Sequence, residues 1–168
     1  MKQKKIIGID LRCLPRDGSA GAGVAHAARA ISEQFLKYEK SLAKIDFRYY
    51  VPEGADWQSG NIVKLADETG RALRSALKEK PCDLLFVPGG SVAPAIKAQT
   101  IPWVHDLIIF EHPEWFDQSW WQRLITTHLF KKGLKKAPII FAVSEYTKQK
   151  IVELLKIDES KIVVTGEG

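Results

Sequence analysis

Short apolar runs alternate with helical patterns along this chain, and the alternation limits the folds that it can adopt. The first run, residues 6–11, is apolar on both faces apart from Gly8 and Asp10, as expected of a central parallel strand. Similar runs follow at 45–51, 83–87, 101–104, 138–143 and 161–165. We therefore predict an α/β fold, a Rossmann-like, doubly wound and mainly parallel sheet with helices on both faces.

The helical segments are predicted from apolar residues that recur at helical spacing. A stripe of Val24, Ala28, Ile31, Phe35 and Tyr38 predicts a helix that follows the glycine motif at 21–23, with His26 on its opposite side. A second pattern over 62–77 predicts another helix, although an internal Gly70 weakens it. A third follows Ser144, which is a good N-cap residue.

The helix predicted over 119–136 allows two interpretations. Its apolar face consists of Trp120, Trp121, Leu124, Ile125, His128 and Leu129, while Lys131, Lys132, Lys135 and Lys136 crowd its last turns. Aromatic residues at this spacing favour packing of the helix on the sheet, and the lysines suit the negative end of a helix. The alternative is a helix that lies on an anionic membrane surface.

Composition restricts the class of protein. A chain of 168 residues is large enough for one domain with its own core. The formal charge of +5 is compatible with phosphorylated ligands or an anionic membrane, but it is too diffuse to predict nucleic-acid binding. The two cysteines, Cys13 and Cys82, lack metal-ligand spacing, which favours free thiols in a reducing cytosol. No apolar run approaches the length that spans a membrane.

Polar or glycine-containing pairs follow several predicted strands at their carboxyl ends, where open α/β sheets bind ligands. They are the glycine motif Gly21-Ala22-Gly23, Gly89-Gly90, His105-Asp106 and Ser144-Glu145. We expect these residues to meet in a single crevice. No metal site is predicted from them.

Each of these groups also has a purely structural explanation. His105 can be a hydrogen-bonded residue at a strand end, with Asp106 capping the next turn, and Ser144 is better explained as a helix cap than as a nucleophile. The glycine motif places a helix N-terminus at the crevice, which suits a phosphate or a sugar hydroxyl, but the glycines can also serve tight packing alone. It lacks the third glycine and the acidic residue of a dinucleotide site, which argues against NAD.

Four stretches together resemble the N-terminal half of group 1 (family 4) retaining glycosyltransferases, with mannosyltransferase-like members the nearest. They are the glycine motif after a strand that carries Asp10 and Arg12, the segment 103–116 with its His-Asp-Leu and His-Pro-Glu pieces, the segment 137–147 with Val-Ser-Glu-Tyr-Thr, and the segment 161–164 before a glycine. Their order and spacing match the family over nearly the whole chain, although the end of the chain departs from the usual linker sequence.

The resemblance implies the N-terminal half of a GT-B fold, in which residues 1–165 line the acceptor side of an interdomain cleft and 166–168 begin a linker. It implies transfer of a sugar, mannose being the nearest match, from a nucleotide-sugar donor to a glycan or a lipid-linked acceptor, without a further cofactor. His105 and Asp106 are then the catalytic candidates, and Gly21, Ala22, Gly23, Gly89, Gly90, Ser144 and Glu145 the substrate-binding candidates.

The resemblance also places donor recognition in a C-terminal domain that this sequence does not contain. We therefore expect the chain to be inactive alone, and an interdomain face without its partner to favour self-association. The expected location is the cytoplasm, with peripheral contact at the inner membrane surface as a further expectation. The alternative function is a non-catalytic Rossmann-like module that binds a nucleotide or a protein partner in the same crevice. Continuation of the reading frame into a second βα domain with paired glutamates would favour the enzyme.

Overall fold

A computed structural model describes residues 4–21, 23–90, 96–117 and 119–166. Seven parallel strands form one sheet in the order β3-β2-β1-β4-β5-β6-β7. The strands are β1 (Lys5–Asp10), β2 (Ile45–Pro52), β3 (Ile62–Leu65), β4 (Leu84–Val87), β5 (Gln99–Val104), β6 (Ile140–Ala142) and β7 (Ile162–Val164). The helices are α1 (Val24–Glu39), α2 (Gly70–Glu79), α3 (Ile108–Glu111), α4 (Trp120–Lys136) and α5 (Glu145–Leu155). The predicted Rossmann-like fold is confirmed.

Alternate residues of the central strands build cores on the two faces of the sheet. On one face Tyr49, Phe86 and Trp103 belong to the core that α1 covers through Ala25 and Ala28. The residues next to them along the strands belong to cores that α2, α4 and α5 cover, through Leu73, Leu134, Ile151 and Leu155. Because both faces are buried, the strands read as continuous apolar runs.

The stripe predicted for α1 is correct except at its end. Ala28 is fully buried, and Ile31 and Phe35 pack against the same core. Tyr38, however, is 62% exposed, because it lies in the last turn of α1, beyond the part that covers the sheet.

The helix predicted over 62–77 is wrong in its first half. Residues Ile62–Leu65 form β3, an edge strand paired with β2, and only Gly70–Glu79 is helical. Thr69 begins α2 by accepting a hydrogen bond from the Ala72 amide, so Gly70 lies at the first position of the helix and not in its interior. Pairing with β2 decides the conformation of a segment whose apolar spacing also suits a helix.

The predicted packing of the aromatic face of α4 is also wrong. Trp120, Trp121, Leu124 and Ile125 are all more than half exposed, and Leu129 is 38% exposed. Burial in α4 is limited to its last turns, at Gly133 and Leu134. The helix thus contacts the sheet through the side opposite to its aromatic residues.

Candidate functional site

The site lies at the carboxyl edge of the sheet, where β1 is flanked by β2 on one side and β4 on the other. At this position the direction of the crossover connections reverses, which opens a crevice between the loops. Asp10 ends β1 here and is 2% exposed. Its carboxylate accepts hydrogen bonds from Arg12 Nε at 2.9 Å and Nη2 at 2.6 Å, and so forms a buried two-point ion pair.

Two glycines shape the turn into α1, and they do so for different reasons. Gly21 has φ of +71°, and a Cβ there would come within 2.6 Å of the Ala25 Cβ. Gly23 is the N-cap residue, with φ 52° and ψ −117°, a conformation open only to glycine. A Cβ on Gly23 would meet nothing within 4 Å, so its backbone faces open space. Ala22 lies outside the described residues.

The loop after β4 passes close to its neighbours at both of its glycines. A Cβ on Gly89 would lie 2.9 Å from the Cβ of Cys13, and one on Gly90, at φ +69°, would lie 3.2 Å from the Trp103 carbonyl oxygen. Glycine therefore lets this loop fit between the β1 loop and strand β5. The Cys13 thiol in this layer has its pKa raised to about 12 by burial and by the Asp10 charge, so it is protonated at neutral pH.

His105 follows β5 and is held from several directions. Its Nε2 lies 2.7 Å from the Pro88 carbonyl oxygen, which can only accept, so Nε2 carries the proton in this contact. The ring also packs on Trp103, with ring centroids 4.8 Å apart. The Thr147 hydroxyl donates to the His105 carbonyl oxygen at 3.1 Å. The imidazole is therefore positioned by the β4 loop and by β5, and the backbone that carries it is held by α5.

Asp106 is exposed, in contrast to Asp10. Its Oδ1 accepts a hydrogen bond from the Ile108 amide at 3.1 Å and so stabilises the turn into α3. This contact agrees with the capping interpretation of Asp106, and it leaves the carboxylate at the surface of the crevice.

Two adjoining cavities bring most of the predicted residues together. The larger, about 740 Å³, is lined by Gly23, His105 and Asp106, and the smaller, about 190 Å³, by Gly89, Gly90 and the same His-Asp pair. Val24 lines both cavities. Glycines from two loops and the His-Asp pair of a third thus share one crevice.

The other predicted residues lie elsewhere. Gly21 lines neither cavity, because it packs behind the start of α1. Ser144 is the N-cap of α5 and accepts from the Thr147 amide at 3.1 Å, and the exposed Glu145 begins that helix. Neither residue lines the cavities. Ser144 instead supports the site indirectly, since it holds Thr147, the donor to the His105 carbonyl.

Several residues of the larger cavity are not predicted by the sequence pattern. His26, Gln34 and Trp103 also line it, together with Ala27, Ala30 and Ile31. One sequence feature could have indicated His26 as a cavity residue, because it follows the glycine motif and lies opposite the core stripe of α1. Within the described ranges, no group of three or more His, Cys, Asp and Glu side chains is arranged to hold a metal ion.

A further cavity of about 590 Å³ lies at the opposite, amino edge of the sheet, near Asp83 and Gln99. Asp83 in this cavity has a structural role, because its carboxylate accepts a hydrogen bond from the Ile6 amide and forms an ion pair with Lys5. Parallel sheets of this type bind their ligands at the carboxyl edge, so the crevice at His105 is the candidate site.

No protein family model matches this chain, and no curated protein is similar to it in sequence. Among solved structures, the fold is similar to that of a glycosyltransferase from Rickettsia africae ESF-5, with a TM-score of 0.56 and 14% sequence identity. The similarity covers 100% of this chain and 44% of that protein, so the chain spans less than half of its length. At this identity the likeness establishes the glycosyltransferase-like fold.

Proposed function

We propose that this chain is the acceptor-side domain of a glycosyltransferase that uses a nucleotide-sugar donor. The observation that carries the proposal is the crevice in which the open backbone at Gly23 and the His105-Asp106 pair line one cavity. The fold of a glycosyltransferase and the sequence resemblance support the same function. Mannose is the sugar that the resemblance favours, with a glycan or a lipid-linked molecule as the acceptor, and the donor-binding half belongs to a second domain.

The start of α1 suits the phosphates of the donor. Among the described residues, no side chain caps this helix, and its N-cap Gly23 and first residue Val24 line the larger cavity. The first amides and the positive end of the helix dipole are therefore available at the crevice. Gly23 allows a ligand to approach the backbone closely, because no side chain covers it. A diphosphate that departs during sugar transfer is stabilised by such a site.

His105 is proposed to bind a hydroxyl of the transferred sugar. Its bond to Pro88 and its contact with Trp103 fix the ring before the substrate arrives, which reduces the entropy lost on binding. A hydrogen bond that tightens as charge develops in an oxocarbenium-like transition state contributes about 1.5–3 kcal/mol. Loss of the imidazole would then lower the turnover of an enzyme that contains both halves by about tenfold or more.

The carboxylates of the site are proposed to position other groups. Asp10 is buried and bound to Arg12, and one oxygen of Asp106 holds the turn into α3. Neither is placed as the nucleophile of a covalent glycosyl intermediate, which a retaining hydrolase requires. We therefore assign the departure of the diphosphate to the helix start and the orientation of the sugar to His105.

Titration of the ¹⁵N-labelled 168-residue chain with uridine and guanosine diphosphate sugars, followed by NMR, tests the proposal. We expect weak, millimolar binding with shift changes at Gly23, Gly90 and His105, because we assign most contacts with the nucleotide to a second domain. Changes confined to the amino-edge cavity, or no changes at all, would contradict the proposal. Micromolar binding at the carboxyl edge would instead favour an autonomous nucleotide-binding module.

A pair of glycine variants provides the matched control. Gly23→Ala places a side chain at the helix start, whereas Gly18→Ala adds one to the same loop away from the cavities. Both positions have positive φ, and neither new Cβ would meet an atom closer than 3.8 Å. We expect only Gly23→Ala to weaken the shift changes. Thermal melting of both variants checks that each remains folded, since alanine is strained at positive φ.

A further inference from the structure

The largest group of exposed apolar side chains lies on and just before α4. These side chains are between 38% and 66% exposed, and we refer to them together as the aromatic patch: Trp115, Phe116, Trp120, Trp121, Leu124, Ile125 and Leu129. The rings of Trp120 and Trp121 stack on each other, with centroids 3.6 Å apart. Seven large apolar residues within one short segment thus expose apolar surface to water, which is typical of an interaction site.

The lysines of α4 share the side of the helix that carries the patch. At 100° per residue, Lys131, Lys132, Lys135 and Lys136 fall within the same arc as Trp120, Trp121 and Ile125, about two to four turns further along. The helix carries no Asp or Glu, and Arg123 adds a fifth positive charge. Its outward side is therefore apolar in the first turns and cationic in the last.

The first half of α4 has no fully buried residue. Ser119 and Gln122 make a capping box, in which the Ser119 hydroxyl accepts from the Gln122 amide and the Gln122 side chain accepts from the Ser119 amide. Burial is found only at Gly133 and Leu134. Local capping thus holds a helix whose apolar side points away from the core.

A groove with apolar walls adjoins the aromatic patch, and Trp120 and Leu124 belong to both. About 560 Å³ of space lies between α3, α4 and α5, where Ile109, Leu124 and Leu155 form apolar walls. Arg123 and Lys131 also line this groove. An apolar channel with cations in its lining suits an acyl chain whose headgroup is anionic.

We propose that α4 docks this protein on an anionic lipid surface. Tryptophan rings prefer the boundary between headgroups and acyl chains, and lysines at the end of the same helix reach the lipid phosphates. No helix in the described part of the chain is long and apolar enough to cross a membrane. The contact is therefore a surface contact, in which the patch enters the headgroup region and the lysines bind its charges.

The charge of the helix argues against a second copy as the occupant. A symmetric dimer through α4 would bring two helices with five cations each, and no acidic side chain, onto each other. Like charges opposed in this way destabilise an interface. A lipid surface with anionic headgroups supplies the complementary charge and takes up apolar residues of any shape.

Co-sedimentation of the 168-residue chain with vesicles tests the proposal. We expect binding to vesicles that mix phosphatidylcholine with phosphatidylglycerol, and much less binding to phosphatidylcholine alone. Replacing both Trp121 and Ile125 by Ser should lower the partition coefficient by about tenfold or more for each side chain, without a change in melting temperature. Replacing Lys132 and Lys136 by Glu should remove the preference for the anionic vesicles.

The control is Ile139→Ser, which removes a side chain that is 40% exposed outside the patch and should leave binding unchanged. Absence of vesicle binding, or binding that is insensitive to Trp121 and Ile125, would overturn the proposal. Self-association that the Trp121 and Ile125 variant abolishes, without vesicle binding, would assign the patch to a second copy. Nucleotide-sugar titration reports on the β1, β4 and β5 loops instead, so the two proposals fail independently.

Discussion

The Asp10–Arg12 ion pair connects the end of β1 to the loop that leads into the site. Asp10 is 2% exposed and the Arg12 side chain is 11% exposed, so both charges are largely removed from water. Such a pair repays the cost of its own desolvation only while both partners are present. The pair therefore fixes the course of the β1 loop, and with it the position of the glycine turn.

Asp10→Asn should destabilise the fold strongly, because it removes the negative charge from a buried ion pair. The expected loss in the free energy of unfolding is on the order of 3 kcal/mol. Asp46→Asn is the matched control, since Asp46 pairs with Lys4 at the surface, where both side chains are about half exposed, and it should cost less than about 1 kcal/mol. Urea denaturation of the two variants measures both values, and an equal effect would show that the buried pair contributes little.

At the scale of the elements, α4 has two halves that respond differently to truncation. Trp121 is 58% exposed, so Trp121→Ala should change the free energy of unfolding by less than about 0.5 kcal/mol. Leu134 is fully buried in the same helix, so Leu134→Ala should cost about 2–5 kcal/mol. Thermal or urea denaturation measures the difference. A large loss from Trp121→Ala would show that the aromatic patch packs on the domain after all.

The same helix shows where sequence-based prediction of the elements succeeded and where it did not. Continuous apolar runs such as that at β1 are characteristic of strands buried on both faces, and they predicted the sheet correctly. Periodicity shows that α4 has an apolar side, but it does not show whether that side meets the sheet or an external partner. The short edge strand β3 was missed because its apolar spacing also suits a helix.

For the site, the sequence predicted the carboxyl-edge loops because glycines and polar pairs mark the ends of parallel strands. Gly23, Gly90 and His105 do line the two cavities. Ser144 was grouped with them because it also follows a strand, but it is occupied as the cap of α5. The contribution of α1 through Gln34 depends on how this helix crosses the sheet, which local sequence does not determine.

At the scale of the whole molecule, the burial of protonated thiols and tyrosine hydroxyls makes the stability depend on pH in the alkaline range. Both cysteines are free, and burial raises the pKa of each thiol, that of Cys13 to about 12. Burial also raises the pKa of the Tyr49 and Tyr50 hydroxyls, and the nearby Glu39 carboxylate adds to the effect at Tyr49. All these groups retain their protons in the folded chain at pH values at which the unfolded chain releases them.

The stability of the protein should therefore fall as the pH rises above the ordinary thiol pKa. For Cys13 the pKa is 9.0 without perturbation and about 12 in the fold, so its contribution is complete below pH 9.0 and declines progressively towards pH 12. The folded state binds more protons than the unfolded chain in this window, so the free energy of unfolding decreases as the pH rises. One thiol contributes less than about 1.4 kcal/mol per pH unit to this decrease. Cys13→Ala should make the slope shallower, whatever its effect at neutral pH. Urea denaturation of both proteins between about pH 8 and about pH 11 measures the difference, and identical slopes would show that Cys13 titrates alike in the folded and unfolded chains.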